Sequence, residues 1–253
     1  MFELKTPDGI TYFLMLELSL LMRLKYPLHI HSFEVGMFPI IKPLSPDERL
    51  LIGGVWARRA RREAELYLRF DSLFQALRAH QATPTVVTLA EQTSIDSQAH
   101  AEKYRVLADS FGVETEVSDA VRLGPLAPPS LSILDRIVYE LVLLSCVEET
   151  LMGCLMGQVY QHAKHPQIRL TAHLAFQDEI WHSRLGWAHL GNVSNQISVS
   201  WLSAHVVPML DRLKHHELYR PDESFSSPEH MLDYGVFNRA RRLEMMREGV
   251  NTI

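Results

Sequence analysis

The chain of 253 residues is 47% hydrophobic and 22% charged, a globular composition that excludes a disordered or fibrous protein. Its formal net charge of -5 argues against a protein that lives on phosphate backbones, so no nucleic-acid partner is expected. The one basic cluster, "ARRARR" at 57–62, is followed by Glu63 and Glu65 and reads as the solvated face of a long helix.

The chain reads almost entirely as helices within a single domain, with a bundle core at about 46–190, an N-terminal extension over 1–45 and C-terminal helices over 191–253. Residues 9–25 predict a first helix, closed by Pro27. Its apolar run "GITYFLMLELSLLM" is too short to span a bilayer and is interrupted by Glu17, so no membrane segment or signal is expected. The stretch "YPLHIHSFEVGMFPIIKPLSP" is punctuated by prolines and reads as irregular, its His29 and His31 as surface residues. "SPDE" at 45–48 is a helix start, with Ser45 as N-cap, Pro46 in the first turn and Glu48 three residues on. A long helix then runs to about residue 80, and a second from about 85 to 111, stopped by Gly112.

Residues 113–130, with three prolines and no periodicity, read as a crossover connection. A third helix runs from near Leu131 to "KHP" at 164–166, and a fourth from 167 to about 190, closed by Gly191 and Asn192. Shorter helices over 195–216 and 228–247 complete the chain, and no hairpin signal stands out. Cys146 and Cys154 lie two turns apart on the third helix, too far to bridge. They are expected as reduced core residues of a cytoplasmic protein. Two helical pairs joined by one long crossover are the pattern of a four-helix bundle of the ferritin-like type.

Each of the four long helices carries polar residues on its apolar stripe. Glu149 lies among Val142, Ser145, Cys146, Met152, Gly153 and Met156, with Glu148 beside it not separable by pattern. An unpaired carboxylate there would cost several kcal/mol, so it is protonated, paired or metal-bound. Glu63 is flanked by Trp56, Ala60, Leu66, Tyr67 and Phe70, with Arg59 the only exposed type on that face, whereas Glu65 pairs with Arg61 and Arg69 in solvent. His100 lines up with Val86, Leu89, Thr93, Tyr104, Leu107 and Phe111, and Glu179 and His182 with Ala172, Ala175 and Gly186. A Glu on one helix followed by a Glu-x-x-His on the next, repeated, is the ligand set of di-iron carboxylate bundles.

The stretches "REAELYLRFDSLFQAL", "SIDSQAHAEKYRVLADSFG", "LLSCVEETLMG" and "FQDEIWHSRLGW" resemble the ferritin-like di-metal carboxylate superfamily, specifically bacterial ferritin-like oxygenases and oxidases. The resemblance covers roughly residues 56–190. It implies a metal site of Glu63, His100, Glu149, Glu179 and His182, with Asp96 a candidate sixth ligand and Glu149 and Glu179 the catalytic carboxylates. The implied cofactor is two iron ions, or one iron and one manganese. One position departs: the family's Asp-Glu-x-x-His reads here Asp96-Ser97-Gln98-Ala99-His100, so Ser97 stands where a bridging Glu is expected. Three carboxylates leave two divalent ions with one positive charge unbalanced. Water or hydroxide, Asp96, or a substrate carboxylate would fill that place, or the first metal site has decayed and one metal remains.

The resemblance implies an oxidoreductase that uses O2 to hydroxylate, N-oxygenate or desaturate a small organic substrate. Electrons would come from an external donor, since the chain has no Gly-rich nucleotide loop or cysteine cluster. Ala172, Ala175, Gly153, Gly157 and Gly186 either leave room for substrate or mark close helix packing. The alternative is a degenerate metal-binding scaffold or partner protein without catalysis. The apolar "MLDYGVF" and "LEMM" near the C-terminus would then cover a homodimer interface. Tyr104 and Tyr160 are placed near the metals or in packing, and His162, His165, His215 and His216 near helix ends, where their charge suits the helix dipole.

Overall fold

The computed structural model describes residues 2–5, 11–14, 43–115, 123–194, 198–212 and 228–250. Apart from one two-stranded hairpin, its regular structure is helical. The hairpin pairs β1 (Phe2–Lys5) with β2 (Thr11–Leu14) antiparallel, Phe2 opposite Leu14. It replaces the start of the helix expected over 9–25; the rest of that segment, with His29 and His31, lies outside the described residues. "FELK" and "TYFL" carry strand propensity over only four residues each, a signal swamped by the longer apolar run that follows β2.

Helix α1 (Pro46–Ala79) starts as expected from a capping box: Ser45 Oγ accepts from the Glu48 amide at 3.3 Å, and the Ser45 amide donates to Glu48 Oε2 at 2.7 Å. It ends where Gln81 takes φ 56° and the Ala82 amide donates to the Leu77 carbonyl. Pro84 opens α2 (Pro84–Ser110), which packs back along α1 and stops before Gly112 at φ 86°. After the connection, Ser132 caps α3 (Ile133–Leu141), followed without a break by a π-helical stretch (Val142–Glu149) and α4 (Thr150–His162). Pro166 opens α5 (Pro166–Val193), which runs through Gly191 and Asn192 rather than closing at them. The π stretch and α4 pack on α5, and α5 also packs on α2.

The C-terminal segments divide more finely than expected. A 3-10 turn (Ser200–His205) leads into α6 (Val206–Arg212), and another (Glu229–Tyr234) ends at Gly235 with φ 71° before α7 (Arg239–Val250). Gly235 is required there, because a Cβ would lie 2.8 Å from Val159 Cγ1. Met231, Tyr234, Val236, Phe237, Met245 and Met246 are buried in the chain's own core. These residues of the "MLDYGVF" and "LEMM" segments are therefore covered by the chain itself.

Two apolar clusters make the core. On α1 the larger ends at Ala60 and the smaller begins at Leu66, with Glu63 between them. On α2 Val86 and Ala90 belong to the smaller and Tyr104 and Leu107 to the larger, with His100 between. Each fully buried Leu or Phe in these layers stabilises by about 1.5–3 kcal/mol, so a polar layer is held between two that exclude water. No described helix is long and apolar enough to cross a membrane. Cys146 and Cys154 are both buried and not joined by a disulfide, as expected.

Candidate metal centre

The polar layer brings together five residues from four helical segments. Glu63 on α1, His100 on α2, Glu149 at the end of the π stretch, and Glu179 and His182 on α5 are each at most 1% exposed. Their donor atoms form two trios, Glu63–His100–Glu179 and Glu149–Glu179–His182, the atoms of each lying within 4.8 Å of one another. Glu179 belongs to both. Its Oε1 is 3.7 Å from His100 Nδ1 and its Oε2 is 3.2 Å from His182 Nδ1. Glu63 Oε2 is 3.9 Å from His100 Nδ1, and Glu149 Oε2 is 3.6 Å from His182 Nδ1.

Both imidazoles turn Nδ1 towards the carboxylates and Nε2 away. His100 Nε2 meets Asp178 Oδ2 at 3.0 Å, and His182 Nε2 meets Asp96 Oδ2 at 3.2 Å. Each Asp lies one turn before the histidine of its own helix and bonds the histidine of the other. A carboxylate at Nε2 keeps the proton on that nitrogen and leaves Nδ1 as a lone-pair donor. Asp96 is thus not a sixth donor to the first trio: it holds His182 and also accepts from Gln92 Nε2 at 2.8 Å.

The π stretch sets the height of Glu149. Ser145 Oγ donates to the His182 carbonyl at 2.5 Å and accepts from the Gly186 amide at 2.7 Å, tying the segment to α5 at the level of the site. A Cβ on Gly186 would lie 2.5 Å from Cys146 Sγ and 2.8 Å from the Leu141 carbonyl, and one on Gly157 would lie 3.2 Å from the Phe176 ring. These glycines mark close helix packing rather than a substrate cavity. Single π turns inside α-helices occur often at functional sites, where they re-aim a side chain.

Glu148 is separated from Glu149 by its partner: Arg62 on α1 donates to it through both Nε, at 2.5 Å, and Nη2. Arg62 also pairs with Glu65 at 2.7 Å, so the partners of Glu65 are Arg62 and Arg69, not Arg61. Arg59, expected in solvent, is 2% exposed: its guanidinium stacks 4.4 Å from the Trp56 ring and its Nη2 donates to the Gly235 carbonyl at 2.9 Å. Half of the basic cluster is therefore structural. Tyr104 is fully buried and stacks on His100 with centroids 6.0 Å apart, while Tyr160 packs on His173 instead. His165 is the N-cap of α5, and burial lowers its pKa, so its neutral ring accepts from the Ile168 amide; a positive charge would not suit that helix end. His215 and His216 lie outside the described residues.

The electrostatics of the bare side chains are those of a site built for a cation. Burial, and then the Glu149 carboxylate, push Glu63 and Glu179 well above the usual carboxylate range. Burial acts the same way on Glu149, yet Glu179 and His182 hold it below its ordinary value. Burial opposes charge on His182 too, but the carboxylates of Asp96, Glu149 and Glu179 raise it well above the ordinary histidine value. At His100 burial prevails over Asp178 and lowers the pKa. Without a cation the layer is neutral enough to stay buried only by sharing protons.

The residues fit a metal on a second count. Glu63 Oε1, His100 Nδ1, both oxygens of Glu149 and Glu179 Oε1 are buried and find no hydrogen-bond partner among the described residues. Buried polar atoms are almost always satisfied. Five such atoms on four residues, in one layer, are what a site able to hold divalent cations would present. Carboxylate oxygen with imidazole nitrogen is a donor set that suits iron, manganese and zinc.

No family model matches the chain, and comparisons with curated proteins and with solved structures find no match. Sequence reasoning missed Asp178 and the Arg62–Glu148 pair. The signal for Asp178 was present: "DSQAH" and "DEIWH" both place an Asp four residues before the His.

Proposed function

We propose that the chain is a ferritin-like di-metal oxidoreductase that uses O2 and external electrons to oxidise a small organic substrate. The observation that carries this reading is the pair of buried trios sharing Glu179, five of whose side-chain polar atoms have no hydrogen-bond partner among the described residues. Glu63, His100 and Glu179 would hold one ion, and Glu149, Glu179 and His182 the other. Two iron ions, or iron with manganese, would supply reductive activation of O2 when bound. In a hydroxylation or N-oxygenation one oxygen atom enters the substrate, and the other leaves as water with two electrons and two protons from the donor.

The protein's own contribution is binding, orientation and exclusion of water. Asp96 and Asp178 keep the Nε2 protons of His182 and His100 and fix both rings. The two apolar clusters on either side keep bulk water from the layer. Arg62 clamps Glu148 and so fixes the relative height of Glu63 and Glu149, the residues next to them in the chain. Buried thiols and the absence of a spanning helix among the described residues suit a cytoplasmic setting.

The test is elemental analysis after anaerobic loading with Fe(II), followed by O2 uptake with a chemical reductant. About two ions per chain, lost in Glu179→Ala, together with reductant-dependent O2 uptake is the expected result. Two ions without O2 uptake would favour the metal-binding scaffold, and no bound metal would overturn the reading.

A further inference from the structure

Ser97 occupies, on α2, the position that Glu179 occupies on α5: each follows an Asp and precedes a His by three residues. Residues three apart share a helix face, so Ser97 shares with His100 the face that the layer occupies. Its side chain is fully buried, and its Oγ finds no hydrogen-bond partner among the described residues. Asp96, the only carboxylate beside it in sequence, is turned to His182 and Gln92 and does not fill the place. The two trios themselves then hold three carboxylates against two divalent ions, one negative charge fewer than the ions carry. Relative to glutamate, serine lacks a CH2–COO⁻ unit, the size of an acetate.

We propose that this place is a binding site for an exogenous carboxylate, which completes the first metal position, with Ser97 Oγ donating a hydrogen bond to it. The substrate class of the enzyme is accordingly a small carboxylic acid whose carboxylate docks at Ser97. The proposal rests on the di-metal reading given above. The carboxylate balances the remaining charge, and the hydroxyl that has no partner in the protein acquires one. A substrate docked in this way is ordered only where both ions are present, which couples substrate binding to a complete centre. A simple acid such as acetate supplies the same group, so the shared chemistry is the carboxylate, and the experiment separates an acid that is oxidised from one that only binds.

The experiment is an anaerobic Co(II) titration of the wild-type chain, Ser97→Glu and Ser97→Ala, in acetate and in chloride at equal ionic strength, read by elemental analysis and visible absorption. In the wild-type chain acetate should tighten the weaker of two metal-binding steps at least tenfold and alter the Co(II) spectrum. Ser97→Glu should bind both ions equally well in chloride and acetate, because its own carboxylate fills the place. Ser97→Ala should keep the acetate effect at several-fold weaker acetate affinity, and it decides the matter if Ser97→Glu fails to fold. Two tight ions with no acetate effect in the wild-type chain and in Ser97→Ala would overturn the proposal and leave the di-metal reading standing. No metal binding by the wild-type chain or either variant would overturn both. Screening small carboxylic acids for acid-dependent O2 uptake by the iron-loaded protein then separates substrates from simple ligands. Uptake stimulated equally by amines or alcohols lacking a carboxylate would overturn the substrate assignment.

Discussion

Replacing Asp178 tests how the two halves of the centre are wired. Its Oδ2 is 3.0 Å from His100 Nε2, and His100 belongs to the trio with Glu63 and Glu179. Partners that orient a metal-bound histidine are worth roughly 10–100-fold in metal affinity, or about 1.4–2.7 kcal/mol. Asn keeps the size and an accepting carbonyl but loses the charge that strengthens the bond. Asp178→Asn should therefore fall near the tenfold end. Asp178→Ala removes the acceptor outright, but the Asp178 side chain is 36% exposed, so water can take its place at Nε2–H and the loss should only modestly exceed that of Asp178→Asn.

The loss should be confined to one ion. In an anaerobic metal titration with two resolved steps, Asp178 variants should weaken the step assigned by Glu63→Ala and His100→Ala, and leave the other within about twofold of wild type. Asp96→Ala should do the reverse, weakening the step assigned by Glu149→Ala and His182→Ala, since Asp96 holds His182 at 3.2 Å. The reasoning fails if both Asp variants weaken the same step, or if neither moves any step by more than twofold while the chain stays folded by circular dichroism.

Metal-free protein should lose stability as pH rises above about 7. Glu63, Glu179 and His182 have folded pKa values raised above their unfolded ones, so they bind protons more tightly when folded and their stabilisation fades as pH rises. The lowered groups Glu149, Asp96 and His100 act the other way, but they finish titrating at or below the ordinary histidine value. Metal-loaded protein should not show this loss, because ions replace those protons and leave nothing to titrate there; parallel melting curves for the two forms across pH 7–9 would refute this. Gly186→Ala should destabilise by roughly 1–3 kcal/mol in chemical denaturation, because the Leu141 carbonyl 2.8 Å from the new Cβ cannot rotate away; a change below about 0.5 kcal/mol would count against that contact. Arg62→Met should cost about 3 kcal/mol, the lower end for stranding a buried carboxylate, because Glu148 is 3% exposed; unchanged melting would show that Glu148 finds another partner.

The four long helices and the five inward residues were legible because both signals are periodic. Glu63, His100, Glu149, Glu179 and His182 interrupt apolar stripes, and a polar residue in a stripe is conspicuous wherever the helix is long enough to define one. Arg59 was misread because a guanidinium on a core face looks solvated until its partners are known, and these, the Trp56 ring and the Gly235 carbonyl, are visible only in three dimensions. The C-terminal methionines were misread for the converse reason: a short apolar segment does not say whether its cover comes from its own chain. Here Val159 and Trp56 crowd Gly235 and draw the segment onto α4 and α1. The Arg62–Glu148 pair could not be found by pattern at all, since it joins helices far apart in sequence.

The crossed Asp–His pairs tie the site to the fold in a way that packing alone does not. Apolar layers tolerate small slips of one helix along another, since hydrophobic contacts of about the right size suffice to fold a bundle. Asp96 with His182 and Asp178 with His100 do not tolerate such a slip. Both bonds run between α2 and α5, and sliding either helix by one residue rise of about 1.5 Å would displace each donor from its acceptor by about half the length of the bond and misalign both. The same four residues that orient Nδ1 towards the carboxylates thus set the register of the two helices that carry them. It follows that the site has a register to hold even before a metal arrives. The carboxylates of Glu63 and Glu149 are brought to that register separately, through the clamp of Arg62 on Glu148 and the bonds of Ser145 to α5. The site is therefore prearranged by contacts outside the two trios, and those contacts leave the buried Ser97 Oγ on α2 without a partner among the described residues.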